Sequence, residues 1–285
     1  MVKDIHWFPG HMKKAQEEII TKLKIVDCVI ELLDARIPFS SRNNQLFELT
    51  KSKKRLVVLT KSDLADKNCT SLWVEFFKRE GFAAIFADLN SPKDIINVIK
   101  NAEKLGAEKR SKELTRGMKP QPIRAMVIGI PNVGKSTLIN KIAHRKAASV
   151  QNKPGHTKAQ QWIKVSNQFE LLDTPGILQS NYEDKSKALN LALVGSINEN
   201  ILPNDELANK LLVFLKEHYW SMVSERFSLT NNEDNNEIIF ESIAKNRGLI
   251  TSGEQDINRA HKVLLNEFKN GKIGRITLEQ SPKCL

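Results

Sequence analysis

The sequence predicts an α/β domain with a mainly parallel, six-stranded sheet, followed by a smaller all-helical unit. Three observations carry that reading. Short apolar, β-rich runs ending in polar, Gly or Pro residues recur through the first two-thirds of the chain. Helical patterns separate most of them, and strands alternating with helices build parallel sheets that bind ligands at their carboxyl edge. Beyond about Gly176 the strand signals stop and helical spacing takes over.

The strand candidates are VDCVIELLDA (26–35), RLVVLTKSD (55–63), AAIFAD (83–88), IRAMVIGIPN (123–132) and FELLDTPG (169–176). Helical stretches lie at Asn44–Lys51, Thr70–Gly81, Pro92–Lys104 and Ser136–His144. The segment RSKELTRGMKPQP (110–122) reads as a charged connector. In the last third, Leu207, Leu211, Phe214, Leu215 and His218 fall at helical spacing. So do Ile257, Ala260, Val263, Leu264 and Phe268, closed by Gly271 as a C-cap. The Asn-rich patch 231–237 reads as a loop. The chain divides into an N-terminal segment and helix packing on the next domain (1–22), the α/β domain (23–185) and the helical domain (186–285).

A length of 285 residues suits two domains, and 40% hydrophobic with 27% charged residues suits a globular chain. Three cysteines (Cys28, Cys69, Cys284) are too few and too far apart for a disulfide framework or a zinc site, which points to a reducing, cytoplasmic setting. No apolar run approaches membrane-spanning length, so no membrane association is expected. The net charge is +11, but residues 1–185 carry +12 and residues 186–285 carry −1. Residues 104–169 hold 14 basic and two acidic residues, either a solvated face around a phosphate site or a face for a polyanion such as RNA.

GIPNVGKST (129–137) follows a strand and opens a helix, the setting that a phosphate-binding G-x-x-x-x-G-K-[ST] loop requires. Gly129 and Gly134 let the backbone curl. The amides of Asn132, Val133, Gly134, Lys135, Ser136 and Thr137 can then turn toward phosphates. Lys135 would bridge β- and γ-phosphate oxygens, and the Ser136 hydroxyl would hold Mg²⁺. DTPG (173–176) ends a strand, placing Asp173 beside the metal and the Gly176 amide beside the γ-phosphate. TKSD (60–63) also ends a strand. Asp63 can accept hydrogen bonds from guanine N1–H and N2–H₂, which adenine lacks; Lys61 can lie along the base, and Thr60 opens the motif. In PGHTKAQQW (154–162), Thr157 is the residue that would reach both Mg²⁺ and the γ-phosphate. Asp88 marks the loop that would back the guanine, although the usual Ser-Ala-Lys is missing there.

The order of these motifs is rearranged. Base reading comes first, then the guanine-backing loop, the phosphate loop, the Thr157 loop and DTPG (G4-G5-G1-G2-G3). A circular permutation keeps the same sheet while joining the old termini through 104–122. The fold class is therefore a circularly permuted P-loop GTPase domain followed by the helical unit.

This order, together with HWFPGHMKKA (6–15), DARIPFSSRN (34–43) and GIPNVGKST, resembles the circularly permuted ribosome biogenesis GTPase A family. The resemblance spans roughly residues 5–180. It implies slow GTP hydrolysis stimulated by a late precursor of the large ribosomal subunit, contact with its rRNA, release on hydrolysis, and Mg²⁺ as cofactor. A monomer off the ribosome is expected. Asn132 resembles the asparagine that holds K⁺ in potassium-stimulated relatives. Ile177 stands where Ras-like enzymes place a water-orienting glutamine, and His11 and His156 are the candidates to replace it. The catalytic set is then Lys135, Thr157 and His11. Two other readings stay open: an RNA-binding assembly protein using GTP as a structural ligand, and a stand-alone nucleotide-hydrolysing metabolic enzyme.

Overall fold

A computed structural model describes residues 10–147, 162–174, 177–178, 185–197, 203–230, 233, 235–251 and 253–280, without the side chains of 10–16 and 144–147. Six strands form the main sheet: β1 (Cys28–Asp34), β2 (Lys54–Thr60), β3 (Ala83–Ala87), β4 (Ile123–Ile128), β5 (Trp162–Ser166) and β6 (Phe169–Leu172). Their spatial order is β3-β2-β1-β4-β6-β5, parallel throughout except for β5 against β6. All seven residues of β1 are buried, as expected of a central strand covered on both faces. Strand β5 is the one without a sequence signal. It is a short edge strand with no fully buried residue, so its pattern is neither continuous nor cleanly alternating.

Six helices accompany the sheet: α1 (Gly10–Leu23), α2 (Asn44–Thr50), α3 (Lys67–Arg79), α4 (Pro92–Leu105), α5 (Ala107–Thr115) and α6 (Lys135–Ala147). Side-chain caps start three of them. Asn43 accepts from Leu46 N, Asp66 from Cys69 N, and Ser91 from Asp94 N ahead of Pro92. Helix α5 occupies part of the stretch read as a connector. Ala, Glu, Lys, Arg and Leu favour helix there, and Glu108 pairs with Lys112 one turn on. It buries no residue, so the sequence offers no apolar stripe to reveal it.

Five more helices follow: α7 (Lys185–Leu193), α8 (Asn204–His218), α9 (Trp220–Phe227), α10 (Asn236–Asn246) and α11 (Ile257–Lys269). A two-residue hairpin, β7 (Ile250–Thr251) with β8 (Glu254–Gln255), interrupts this otherwise helical unit, a small departure from the all-helical expectation. Gly271 stands just past the Asn270 cap of α11 with φ +67°. One apolar core runs without a break from the sheet (Leu32, Val127) into the helical unit (Leu191, Leu211, Phe240, Leu264). Two smaller clusters cover other parts of the sheet, one around Ile19, Met126 and Ile177, the other around Trp73 and Phe77.

Past α11 the chain returns to the α/β domain as an extended strap. Ile276 N donates to Leu64 O, Thr277 Oγ1 accepts from Asp66 N, and Leu278 N donates to Arg36 O. The Glu279 carboxylate accepts the backbone N–H groups of Phe39 and Ser40, and its carbonyl accepts Trp73 Nε1.

Candidate functional site

A cleft of about 420 Å³ opens at the carboxyl edge of the sheet. Three separate stretches of chain line it: Lys61 and Asp63 after β2, Asp88–Asn90 after β3, and the turn between β4 and α6. That turn supplies Asn132 and Gly134, and the first turn of α6 supplies Lys135–Thr137. Parallel pairing brings them together. Because β1, β2, β3 and β4 run the same way, the loops that follow β2, β3 and β4 leave one edge.

The β4–α6 loop has the backbone that anion binding demands. Gly129 (φ +153°), Asn132 (φ +58°) and Gly134 (φ +109°) all lie where side-chain-bearing residues are strained. A Cβ on Gly129 would sit 2.7 Å from Leu32 O, so the loop can lie on β1 only with glycine there. Helix α6 begins at Lys135, aiming its N-terminal amides and positive dipole end at the cleft. Lys135 is buried, and its Nζ donates to Gly129 O (3.0 Å) and Ile130 O (2.7 Å). Burial pulls its pKa from 10.5 down to about 8, against the opposing charge of Asp173. Burial also raises the Asp173 carboxyl, which Lys135 in turn lowers. Among the described residues its hydrogen-bond acceptors are neutral carbonyls, which leaves this buried ammonium suited to an anion.

Thr60 and Val133 brace the cleft rather than line it. Thr60 Oγ1 contacts Leu33 O (3.0 Å) and Val133 O (2.7 Å), tying the end of β2 to the phosphate-type loop. Thr174 Oγ1 donates to Val127 O, fixing the chain beyond β6 against β4. Asn132 Nδ2 donates to Gly195 O (2.8 Å), the turn that closes α7. Ile177 is fully buried among Ile19, Met126 and Leu172, and its carbonyl accepts from Asn43 Nδ2. An apolar residue at that place is part of the core and holds no water. Thr157, His156 and Gly176 lie outside the described residues, as does the side chain of His11.

Lys61 has a partner that motif reading did not supply. Its Nζ lies 2.9 Å from Asp34 Oδ2, and Asp34 is also held by Arg36. Burial alone would raise the Asp34 carboxyl; the Arg36 and Lys61 cations outweigh it and hold the group well below the usual carboxylate range. The signal was present in DARIP, an acidic residue ending a central strand, but only the sheet register places it beside Thr60.

The donors present fit a hard cation that shares its shell with phosphate. Ser136 offers a hydroxyl and Asp173 a carboxylate, both oxygen ligands of the kind Mg²⁺ takes. Among the described residues, no group of three or more His, Cys, Asp or Glu side chains forms a metal cage, and none is needed for an ion that keeps waters and phosphate oxygens.

Comparison with known proteins agrees with this geometry. The family described as 50S ribosome-binding GTPase matches residues 124–242. Ribosome biogenesis GTPase A of Bacillus cereus is 43% identical over 276 residues, covering 96% of this chain and 93% of that protein. The protein of the same name from Priestia megaterium is 42% identical over 277 residues, covering 96% of each. The crystal structure of GNP-bound YlqF from T. maritima superimposes with a TM-score of 0.63 at 29% identity, covering 95% of this chain and all of that one.

Proposed function

This chain belongs to the ribosome biogenesis GTPase A family, and on that premise we propose how its cleft hydrolyses GTP and how hydrolysis serves assembly of the large ribosomal subunit. The observation that carries the reading is the meeting of base-reading, base-backing and phosphate-type loops in one cleft. Family membership makes the chain a GTP-dependent ribosome assembly factor and disfavours the structural-ligand and metabolic-enzyme alternatives.

In this mechanism Asp63 accepts the guanine N1–H and N2–H₂, and Lys61 lies along the base. Asp88 and its neighbours close the far side. Amides of Asn132–Thr137 take the phosphates, and Lys135 leaves the Gly129 and Ile130 carbonyls for β- and γ-phosphate oxygens. Ser136, Asp173 and Thr157 would hold Mg²⁺, which when bound neutralises charge on the transferring phosphoryl group. The amide nitrogen of Asn132 donates to Gly195 O, so its amide oxygen would be the group free to help hold K⁺, which would neutralise charge near the phosphates. Water attacks in line on the γ-phosphate. Ile177 cannot orient it, so His11 is the group assigned to do so once a partner docks. Gly176 senses the γ-phosphate, and loss of that phosphate loosens the segment leading to α7. The helical unit then changes its angle, and the factor leaves the precursor particle. The basic stretch 104–169 supplies part of the rRNA contact, and the factor is a cytoplasmic monomer off the ribosome.

The test is GTP hydrolysis with and without purified large-subunit particles, in K⁺ and in Na⁺ buffer. Slow turnover alone, strong stimulation by particles and a further gain in K⁺ are expected. Fast turnover without particles, or no response to them, defeats the proposal. If His11→Ala leaves particle-stimulated turnover unchanged, His11 is only part of the N-terminal anchor.

A further inference from the structure

Behind the base-reading loop lies a buried ion cluster in which Asp34 and Arg36, unlike Lys61, have no part in the mechanism above. Asp34 ends β1 with no solvent exposure, and its register partner is Thr60, the first residue of TKSD. Four donors converge on its carboxylate. Arg36 N and Nε each lie 3.0 Å from Oδ1. Arg36 Nη2 and Lys61 Nζ each lie 2.9 Å from Oδ2. Lys61 also holds φ +55°, a left-handed conformation that side-chain-bearing residues ordinarily avoid. A lysine stem ordinarily loses rotamer freedom when fixed. Here the ion pair fixes it before any base arrives.

Arg36 faces two ways. Its Nη1 donates to Lys269 O (3.1 Å), at the carbonyl end of α11, and its guanidinium stands 5.8 Å from the Phe268 ring. Its own carbonyl accepts Leu278 N from the strap. Two further strap contacts grip the base-reading loop on either side of Ala65, at Leu64 O and Asp66 N. The negative end of the α11 dipole thus meets the same cation that holds Asp34. If α11 lifted away, Arg36 Nη1 would lose a half-buried acceptor, and the carboxylate anchoring Lys61 would lose its rigid partner.

We propose that Asp34 is a positioning residue for Lys61 in guanine recognition, and that Arg36 couples this pair to the docking of α11 and the strap. The proposal rests on the guanine reading of residues 60–63. Coupling of this kind is reciprocal: bound guanine nucleotide steadies α11 and the strap, and their docking tightens nucleotide binding.

The experiment measures affinity for a fluorescent GDP in the full chain, with Asp34→Asn and Lys61→Ala singly and together, and hydrogen exchange of amides 264–280 with and without saturating GDP. Asp34→Asn should weaken GDP about tenfold, the worth of one charge-assisted hydrogen bond. In the Lys61→Ala background the same change should cost almost nothing further, because the group it positions is gone. GDP should slow exchange across 264–280 in the native chain and not in the Asp34→Asn chain at saturation. Additive losses of affinity, or equal slowing in both chains, overturn the proposal. Should Asp34→Asn fail to fold, Arg36→Lys keeps a cation beside Asp34 but does not span to Lys269 O. It should bind GDP within a few-fold of the native chain yet lose the slowing across 264–280; slowing as in the native chain overturns the coupling. Asp63→Asn separates the premise from the proposal. If it keeps guanine over xanthine selectivity, the guanine reading itself fails; if it switches to xanthosine diphosphate while the cycle stays additive, only the Asp34 role fails.

Discussion

Lys135 carries its charge where burial penalises it most, and that penalty makes nucleotide binding pH-dependent. Its pKa stands at about 8 without nucleotide. For the nucleotide-free fold this is a cost, full below pH 8 and fading as pH climbs toward 10.5, where the unfolded chain also gives up its proton. Phosphates favour the ammonium, so binding raises the pKa. Below about 8 no proton is taken up; above it, binding must recruit one, and log affinity falls with a slope approaching −1 per pH unit. Calorimetry with GDP in buffers of different ionisation enthalpy should therefore show proton uptake that grows from pH 7.5 to 9. GMP, with the same base but no β-phosphate, controls for titration of guanine. Equal pH dependence for GDP and GMP would sink this account. The identity of Lys135 was legible in the sequence because spacing alone defines the motif. Its burial, which lowers the pKa, and its back-bonding to Gly129 O and Ile130 O were not, since both depend on how tightly the loop closes.

The phosphate-type loop shows how one motif contains glycines of different kinds. At Gly129 an added Cβ would meet the backbone oxygen of Leu32 at 2.7 Å, and β1 cannot give way. At Gly134 it would meet Leu89 Cδ1 at 2.7 Å, the far end of a side chain that itself lines the cleft. Both positions also carry a backbone strain of about 1–3 kcal/mol for alanine. Gly129→Ala should lower the urea midpoint more than Gly134→Ala does. Gly134→Ala should lose GDP affinity out of proportion to its loss of stability, because the clash displaces Leu89 within the cleft-lining stretch Asp88–Asn90. Urea titration and GDP binding of the two variants check this; a larger stability loss for Gly134→Ala would reverse the assignment. Elements with dense local signals, such as β1, β2 and β4, could be read from apolar runs. Helix α5 and strand β5 could not, because neither buries a full apolar face. The strap over 272–280 was also hidden: its hydrogen bonds to Leu64, Asp66 and Arg36 span more than two hundred residues of sequence and leave no periodic trace.

At the scale of the molecule, permutation decides which surfaces move together. Joining the old termini through α5 puts a helix of mixed charge, with three basic and two acidic residues and none buried, on the outside of the α/β domain. With the chain opened after DTPG, the next described helix is α7, whose closing turn at Gly195 rests on Asn132 of the phosphate-type loop. The motif order alone revealed the permutation, but not that one continuous core would join the sheet to the helical unit. The same layout places the charge. With a net +12 in residues 1–185 and −1 beyond, the proposed rRNA contact would fall to the α/β domain. Arg116 and Lys119 are exposed just past α5 and take no part in the cleft. Changing both to Glu should leave GDP affinity as it is, yet weaken binding to large-subunit particles. Each phosphate contact contributes roughly one unit to the slope of log affinity against log salt, so the double variant should be shallower by about two. Sedimentation of the native and variant chains with particles across a salt series measures both slopes. An unchanged slope with native affinity would move the rRNA contact away from α5, and a salt-independent affinity in the native chain would remove phosphate contacts from the interface altogether.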